Sequence, residues 1–428
     1  VLIAQNDPTK ALAALEVAER GRARAFVDSL TVRLADTPDL AIDIEFPDLA
    51  KTRQIARQQD ATLVEYSIVS TNLDEPVLYI WVISPTGDIT FRQQSLQGID
   101  LASLVQSVRS SLGVRSRATV ELVYTGPTTD EQLQQLHQLL IEPIADLLPT
   151  DPEQRVITIP QGDLFLVPFP ALLNAEGQYL IEQHTLLTAP SIQVLDLTRQ
   201  RRQQLGTART STVQTDDVLI VGNPEMPTVR IPSIDWEGQL DSLPGALAES
   251  QAIAEFFDTQ AVTGAAATEA YIKQQIATPR FLHLATHGLL EYGLPGESEG
   301  LDLPGAIALT PGSGEDGLLT AAEIYDMDLN AELVVLSACD TGRGRITGDG
   351  VVGLSRAFIS AGAPSVVVSL WSVPDAPTAD LMVAFYQQLQ QGEDKAQALR
   401  QAMLTVMAQP GNEEPKDWAA FTLIGEAN

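Results

Sequence analysis

Between residues 8 and 32 (PTKALAALEVAERGRARAFVDSLTV) apolar side chains recur three and four positions apart behind Pro8, a spacing that predicts an amphipathic helix. From Ala61 the pattern shortens to TLVEYSIV, VLYIWVIS and DITFRQ, the last two separated by the turn residues Pro85, Thr86 and Gly87, which reads as a meander of strands. Helical spacing returns over Leu101 to Leu112 and again over DEQLQQLHQLLIEPIADLL, where Pro143 should bend the helix because it has no backbone hydrogen to donate. The strand VITIP and the apolar run LFLVPF are then expected to rejoin the sheet.

Periodicity fails between Arg201 and Asp217 (RRQQLGTARTSTVQTDD), which has the composition of a linker or mobile loop and is taken as a domain boundary. Beyond it, apolar runs alternate with helical segments: VLIVGNP, a helix around Leu247 to Phe257, TQAVTG, the helix TEAYIKQQIA, FLHLATH, LVVLSAC, a helix, and SVVVSLW. Uninterrupted apolar strands separated by helices predict an α/β fold, a mostly parallel sheet with helices on both faces. In such sheets reacting groups gather beyond the carboxyl ends of the strands.

Two strands end there in reactive side chains. FLHLATH stops at His287 before Gly288, and LVVLSAC stops at Cys339 within Ser337-Ala338-Cys339-Asp340-Thr341-Gly342. A thiol becomes a strong nucleophile when an imidazole within hydrogen-bond reach takes its proton, so His287 and Cys339 form a candidate base and nucleophile. The amides of Gly288 and Cys339 are candidate donors to an oxyanion. The same residues also admit a bland reading, in which Cys339 is a small buried apolar residue and the histidine is incidental. His283 is expected to be a hydrogen-bonded core residue, His137 a partly exposed helix residue, and His184 carries no signal. Gly348-Asp349-Gly350-Val351-Val352-Gly353 fits G-x-G-x-x-G, but no strand leads directly into it and no acid closes the next strand, so glycines of a tight loop explain it better than a dinucleotide.

Composition narrows the field. The 428 residues are 44% apolar and 19% charged, enough for two or more packed cores. A formal net charge of −30 repels phosphate backbones and anionic lipids, so neither nucleic acid nor membrane is an expected partner. One cysteine excludes an intrachain disulfide, and four histidines leave little material for structural zinc, so no metal or cofactor is expected and a reducing compartment, the cytoplasm, suits the chain. A start at Val1 rather than Met is the start expected of a fragment of a longer chain.

Fifty-two residues separate His287 from Cys339, close to the spacing in caspases, and S-A-C-D-T-G partly resembles their Q-A-C-x-G signature, with Gly342 one position late. More broadly, AERGRARAF, LVEYSIV, LYIWVISPTG, LLIEPIADLL, LFLVPFPALL, LPGALAES, FLHLATHG, GLLTAAEI, LVVLSACDTGRGRITGDGVVGLSRAFISAGAPSVVVSLWSVPD and WAAFTLIG resemble the CHAT-domain peptidases, caspase-like proteins found behind tetratricopeptide repeats, mainly in bacteria. The helical segment over 1–38 is either the end of a tetratricopeptide array or an ordinary N-terminal helix packed on the domain; the resemblance implies a degenerate noncatalytic caspase-like domain over 39–200 and, after the linker over 201–217, a peptidase domain over 218–428. It implies a cysteine endopeptidase acting on protein substrates, with His287 as base, Cys339 as nucleophile and a partner protein bound through the repeat array. In the related separases an aspartate in the segment resembling LWSVPD selects a basic residue before the scissile bond. That role would fall to Asp375, which is equally suited to capping a helix, and Asp340 is a second substrate-binding candidate. A preference for Arg or Lys would make Arg201, Arg202 and Arg209 a self-cleavage segment. The alternative is a noncatalytic interaction scaffold that keeps the fold.

Overall fold

The computed structural model describes residues 8–22, 27, 30, 47–71, 74–112, 127–206, 213–231, 236–289, 292, 305–337, 345–347, 350–371 and 375–428. Contacts divide the chain into two units, one built mainly from Asp43–Asp196 and the other from Leu197–Thr347 with Val351–Asn428.

In the first unit the helix expected over residues 8 to 32 runs as α1 (Pro8–Gly21), and most positions from 23 to 46 lie outside the described residues. Helix α2 (Leu49–Gln59) starts at Asp48, whose side chain accepts from the Lys51 amide. Strands β1 (Ala61–Thr71), β2 (Asp74–Ile83) and β3 (Ile89–Ser95) form the expected antiparallel meander. Helix α3 (Leu101–Ser111) follows, then α4 (Thr129–Leu140), opened by a reciprocal capping box between Thr128 and Glu131. The helix gives way to a 3-10 segment, Glu142–Leu147, with Pro143 in its first turn, where proline interrupts the α pattern. Strands β4 (Arg155–Ile159) and β5 (Thr185–Thr188) complete the order β3-β2-β1-β4-β5, with β4 parallel to both β1 and β5.

LFLVPF does not rejoin the sheet. It is folded into two 3-10 turns, Gly162–Leu166 and Phe169–Ala171, with Pro168 and Pro170 unable to donate to a ladder; the next sheet strand is β5 instead.

A buried charge cluster ties α1 to this sheet. Arg22 donates through Nε to Glu65 Oε1 at 3.0 Å, through Nη1 to the Pro160 carbonyl at 2.9 Å, and through Nη2 to Ser67 Oγ at 2.8 Å and to the Tyr66 carbonyl. Glu19 and Glu65 are both buried, and Glu19 accepts from the Gln193 amide at 3.3 Å. Burial pushes both carboxyls up; at Glu65 the Glu19 charge adds to burial and Arg22 opposes them.

Helix α5 (Ile192–Gln204) contains the division between the units. Arg201 and Arg202 therefore lie in a helix rather than a loop, and Arg209 lies outside the described residues. Arg201 donates to the Gly362 and Leu329 carbonyls at 3.0 and 2.9 Å, partners far along the chain that fix this helical end.

The second unit follows the predicted alternation. Strand β6 (Val218–Pro224) leads to a hairpin of β7 (Thr228–Ile231) and β8 (Trp236–Gln239), then α6 (Pro244–Phe256), β9 (Val262–Gly264), α7 (Glu269–Gln275) and β10 (Phe281–Ala285). A small antiparallel sheet of β11 (Gly288–Leu289), β12 (Ala306–Ala308) and β13 (Leu318–Thr320) precedes α8 (Ala321–Tyr325) and β14 (Leu333–Ser337). Short strands β15 (Arg345–Thr347) and β16 (Gly350–Val352) precede α9 (Leu354–Ser360), β17 (Ser365–Ser369), α10 (Asp375–Gln391), α11 (Lys395–Met407) and β18 (Phe421–Gly425). The sheet order is β18-β17-β14-β10-β6-β9, parallel except where β18 pairs antiparallel with β17.

Every residue of β10, β14 and β17 is buried, as expected of parallel strands flanked by helices. Gly222 admits α6 against β6: a Cβ there would lie 2.0 Å from Ser250 Oγ and 2.8 Å from the Ala246 carbonyl oxygen. The G-x-G-x-x-G stretch has Gly348 and Asp349 outside the described residues, and its Gly353, with φ 152°, caps the short helix α9. Among the described residues no helix is long and apolar enough to cross a membrane.

The Glu19–Arg22–Glu65 cluster generates a pH prediction. A carboxyl whose folded pKa is raised contributes stability that is complete below its ordinary value near 4.5 and is lost as pH rises through the raised value. Urea midpoints are therefore expected to fall as pH rises above about 4.5, and Glu65→Gln, which removes one of the two titrating carboxyls, should flatten that fall. An equally steep fall in the variant would contradict the assignment.

Candidate active site

Three parallel strands of the second unit end side by side. Gly222 of β6 pairs with Ala285 of β10, and Ala285 pairs with Ser337 of β14. His287 stands two residues beyond Ala285, and Cys339 stands two residues beyond Ser337, so both follow their strands by the same count. Cys339 and Asp340 themselves lie outside the described residues.

The backbone carrying His287 is held against β12. Thr286 Oγ1 donates to the Ala308 carbonyl at 2.8 Å, and the Ala308 amide donates to the His287 carbonyl at 2.9 Å. That second bond makes Gly288 and Ile307 a non-hydrogen-bonded antiparallel pair, so the Gly288 amide points away from β12.

The His287 ring is half-buried, and its Nε2 lies 2.8 Å from the Asp241 carbonyl oxygen. A carbonyl oxygen only accepts, so Nε2 carries the hydrogen and donates it; in the neutral ring Nδ1 is then the basic nitrogen. This backbone partner escaped the sequence reading, because any residue at 241 supplies the same carbonyl. The segment is fixed in turn by Asn223, at the end of β6, whose Oδ1 accepts from the Leu243 amide at 2.7 Å and from Ser242 Oγ at 3.2 Å. The signal available for Asn223 is its place in VLIVGNP, an asparagine just past an apolar run.

His283 is the core residue expected of it. It is fully buried, with Nε2 3.0 Å from Glu249 Oε1 and Nδ1 3.1 Å from the Tyr386 hydroxyl, joining β10 to α6 and α10. Burial and then the Glu249 charge hold the Tyr386 hydroxyl well above its ordinary pKa, so it stays protonated and donates to Nδ1 while Nε2 donates to the carboxylate.

Asp375 is the first residue of α10. In the first unit, His137 and His184 line a cavity of about 810 Å³ with Glu142, Glu176 and Glu182, and burial lowers the His137 pKa against the pull of Glu142 and Glu176. Glu269, Glu315 and Glu323 converge as a metal site would require, but Lys273 Nζ lies 2.6, 3.0 and 2.7 Å from them. Burial works against that ammonium, and its hydrogen bonds to the three carboxylates outweigh burial and raise its pKa.

A family model for the CHAT domain matches residues 130–426. Tetratricopeptide repeat protein 28 of Mus musculus is 30% identical over 325 residues, and that of Homo sapiens 29% identical over 326. Each alignment covers 68% of this chain, which spans only 13% of the length of those relatives. Among solved structures, a chain of the Saccharomyces cerevisiae separase–securin complex matches with a TM-score of 0.59 over 99% of this chain and 34% of that one. At 11% identity this likeness concerns the fold alone, which is caspase-like.

His283 of β10 and His287 just beyond the strand should separate cleanly on replacement. His283→Ala strands the buried Glu249 carboxylate and is expected to cost about 3 kcal/mol in urea denaturation. His287→Ala, at a half-buried position outside the core, should change stability by less than about 1 kcal/mol.

Proposed function

The chain belongs to the CHAT-domain family, and from that premise we propose that it is a cysteine endopeptidase acting through His287 and Cys339. The observation that carries this reading is the Nε2 hydrogen bond from His287 to the Asp241 carbonyl, which leaves Nδ1 as the base just beyond a strand paired in register with the one leading to Cys339. In the reaction, Nδ1 takes the Cys339 proton and the thiolate attacks the substrate carbonyl carbon. The Gly288 and Cys339 amides donate to the resulting oxyanion, and the outward direction of the Gly288 amide supports its part. When the peptide C–N bond breaks, the imidazolium gives its proton to the leaving amine. Water, deprotonated by the same nitrogen, then hydrolyses the thioester and frees the thiol.

No cofactor takes part in this scheme, and a single free thiol suits a reducing compartment such as the cytoplasm. Asp375 and Asp340 are the proposed acids for an Arg or Lys side chain before the scissile bond. The first unit is proposed to be noncatalytic, since its parallel strands β4 and β5 run into Pro160 and Ala189 rather than a thiol or imidazole. A partner bound to a tetratricopeptide array on the α1 side would regulate cleavage, a reading supported by the repeat named in the relatives.

Cleavage of a mixed peptide library, read by mass spectrometry, tests the reading. The purified chain should cut, and Cys339→Ala and His287→Ala should each lose at least about a thousandfold in rate. Asp375→Asn should lose cleavage after Arg and Lys while Cys339 alkylation continues at the parent rate. Absence of cleavage by the parent, with or without a tetratricopeptide-bound partner, would favour the scaffold.

A further inference from the structure

We propose that Asn223 is a positioning residue for His287, acting through the segment that offers the Asp241 carbonyl; this rests on reading His287 as the base. Strand register brings the two together. Gly222 pairs with Ala285, so Asn223 leaves β6 at the level where Thr286 and His287 leave β10.

Asn223 adopts φ 44°, the left-handed region that asparagine tolerates better than most side chains. The turn directs its Oδ1 to the Leu243 amide and to Ser242 Oγ. One of these bonds also serves the start of the next helix. Helix α6 begins at Pro244, which has no amide hydrogen, and its N-cap Leu243 makes no side-chain cap bond, so the Leu243 amide that Asn223 binds is an orphaned donor of the helix end. What the bonds fix is the stretch leading into the helix. On its other side the Leu240 amide donates to the Pro227 carbonyl at 3.1 Å, so Asp241 is held from both directions.

The helix that follows cannot give way. Its Ser250 and Ala246 press on Gly222, and its Glu249 is bound to His283 in the neighbouring strand. The Asp241 carbonyl is thus a fixed acceptor for Nε2–H, and a fixed acceptor selects one tautomer and one ring orientation. Without Asn223 the carbonyl loses one of its two anchors, and the ring would sample the tautomer with its hydrogen on Nδ1, which cannot accept the thiol proton.

The test compares Asn223→Gly with Asn223→Asp in the full chain. Glycine keeps the left-handed backbone and deletes Oδ1; aspartate keeps an acceptor there. Imidazole nitrogen resonances of histidine-labelled protein, assigned to His287 by their loss in His287→Ala, report its tautomer directly. The parent and Asn223→Asp should show hydrogen on Nε2, and Asn223→Gly a mixture. Peptide cleavage should fall about ten- to a hundredfold in kcat in Asn223→Gly with KM unchanged, and stay within about threefold of the parent in Asn223→Asp. An unchanged tautomer in Asn223→Gly, or the same mixture in both variants, overturns the proposal. A parent that cleaves nothing would sink the peptidase reading alone, because the tautomer comparison does not depend on turnover.

Discussion

The crevice depends on the hydrogen-bonded register of β10 between β6 and β14. A parallel ladder fixes neighbouring strands to the residue, and a slip of one would turn every side chain of β10 to the opposite face. In the observed register His283 reaches Glu249 and Tyr386, which seats α6 and α10, and His287 leaves the strand beside Asn223 on one side and the path to Cys339 on the other. The apolar burial of β10, β14 and β17 supplies the energy for that register, and the buried His283 hydrogen bonds select it over alternatives that would leave a carboxylate unpaired.

How legible this was in the sequence varied with the kind of interaction. Runs such as LVVLS and SVVVS declare themselves because parallel strands covered on both faces are apolar throughout. His287 and Gly288 stood out because a strand ending in an imidazole is unusual. LFLVPF misled because apolarity reports burial, not a ladder, and Pro168 within it and Pro170 just after it were the contrary signal. Arg201 and Arg202 read as linker because their helix is held by carbonyls more than a hundred residues away, which no local pattern encodes. Glu249 and Tyr386 were likewise silent, each an ordinary residue of a helix until the fold sets it against His283.

The first unit carries a buried charge cluster of its own. Two buried carboxyls share one guanidinium at the junction of α1, β1 and the chain beyond β4, and the guanidinium also satisfies two main-chain carbonyls. Such a cluster is directional, because one guanidinium reaches Glu65, Ser67 and the Tyr66 and Pro160 carbonyls at once. Helix α1 is held as well by the buried Ala11 and Leu15 and by the Trp81 Nε1 donation to the Ala11 carbonyl at 2.9 Å, so charge and packing act on it together.

The group that orients His287 belongs to the main chain. Replacing the side chain at position 241 leaves that carbonyl in place, so scanning the crevice residue by residue would score the position as neutral although the ring leans on it. Selection acting on such an acceptor has no letter of its own to preserve. Its trace is displaced onto whatever holds the backbone still, here an amide side chain one strand away, and position 241 is left free to drift toward acids, amides or small residues as the surroundings require.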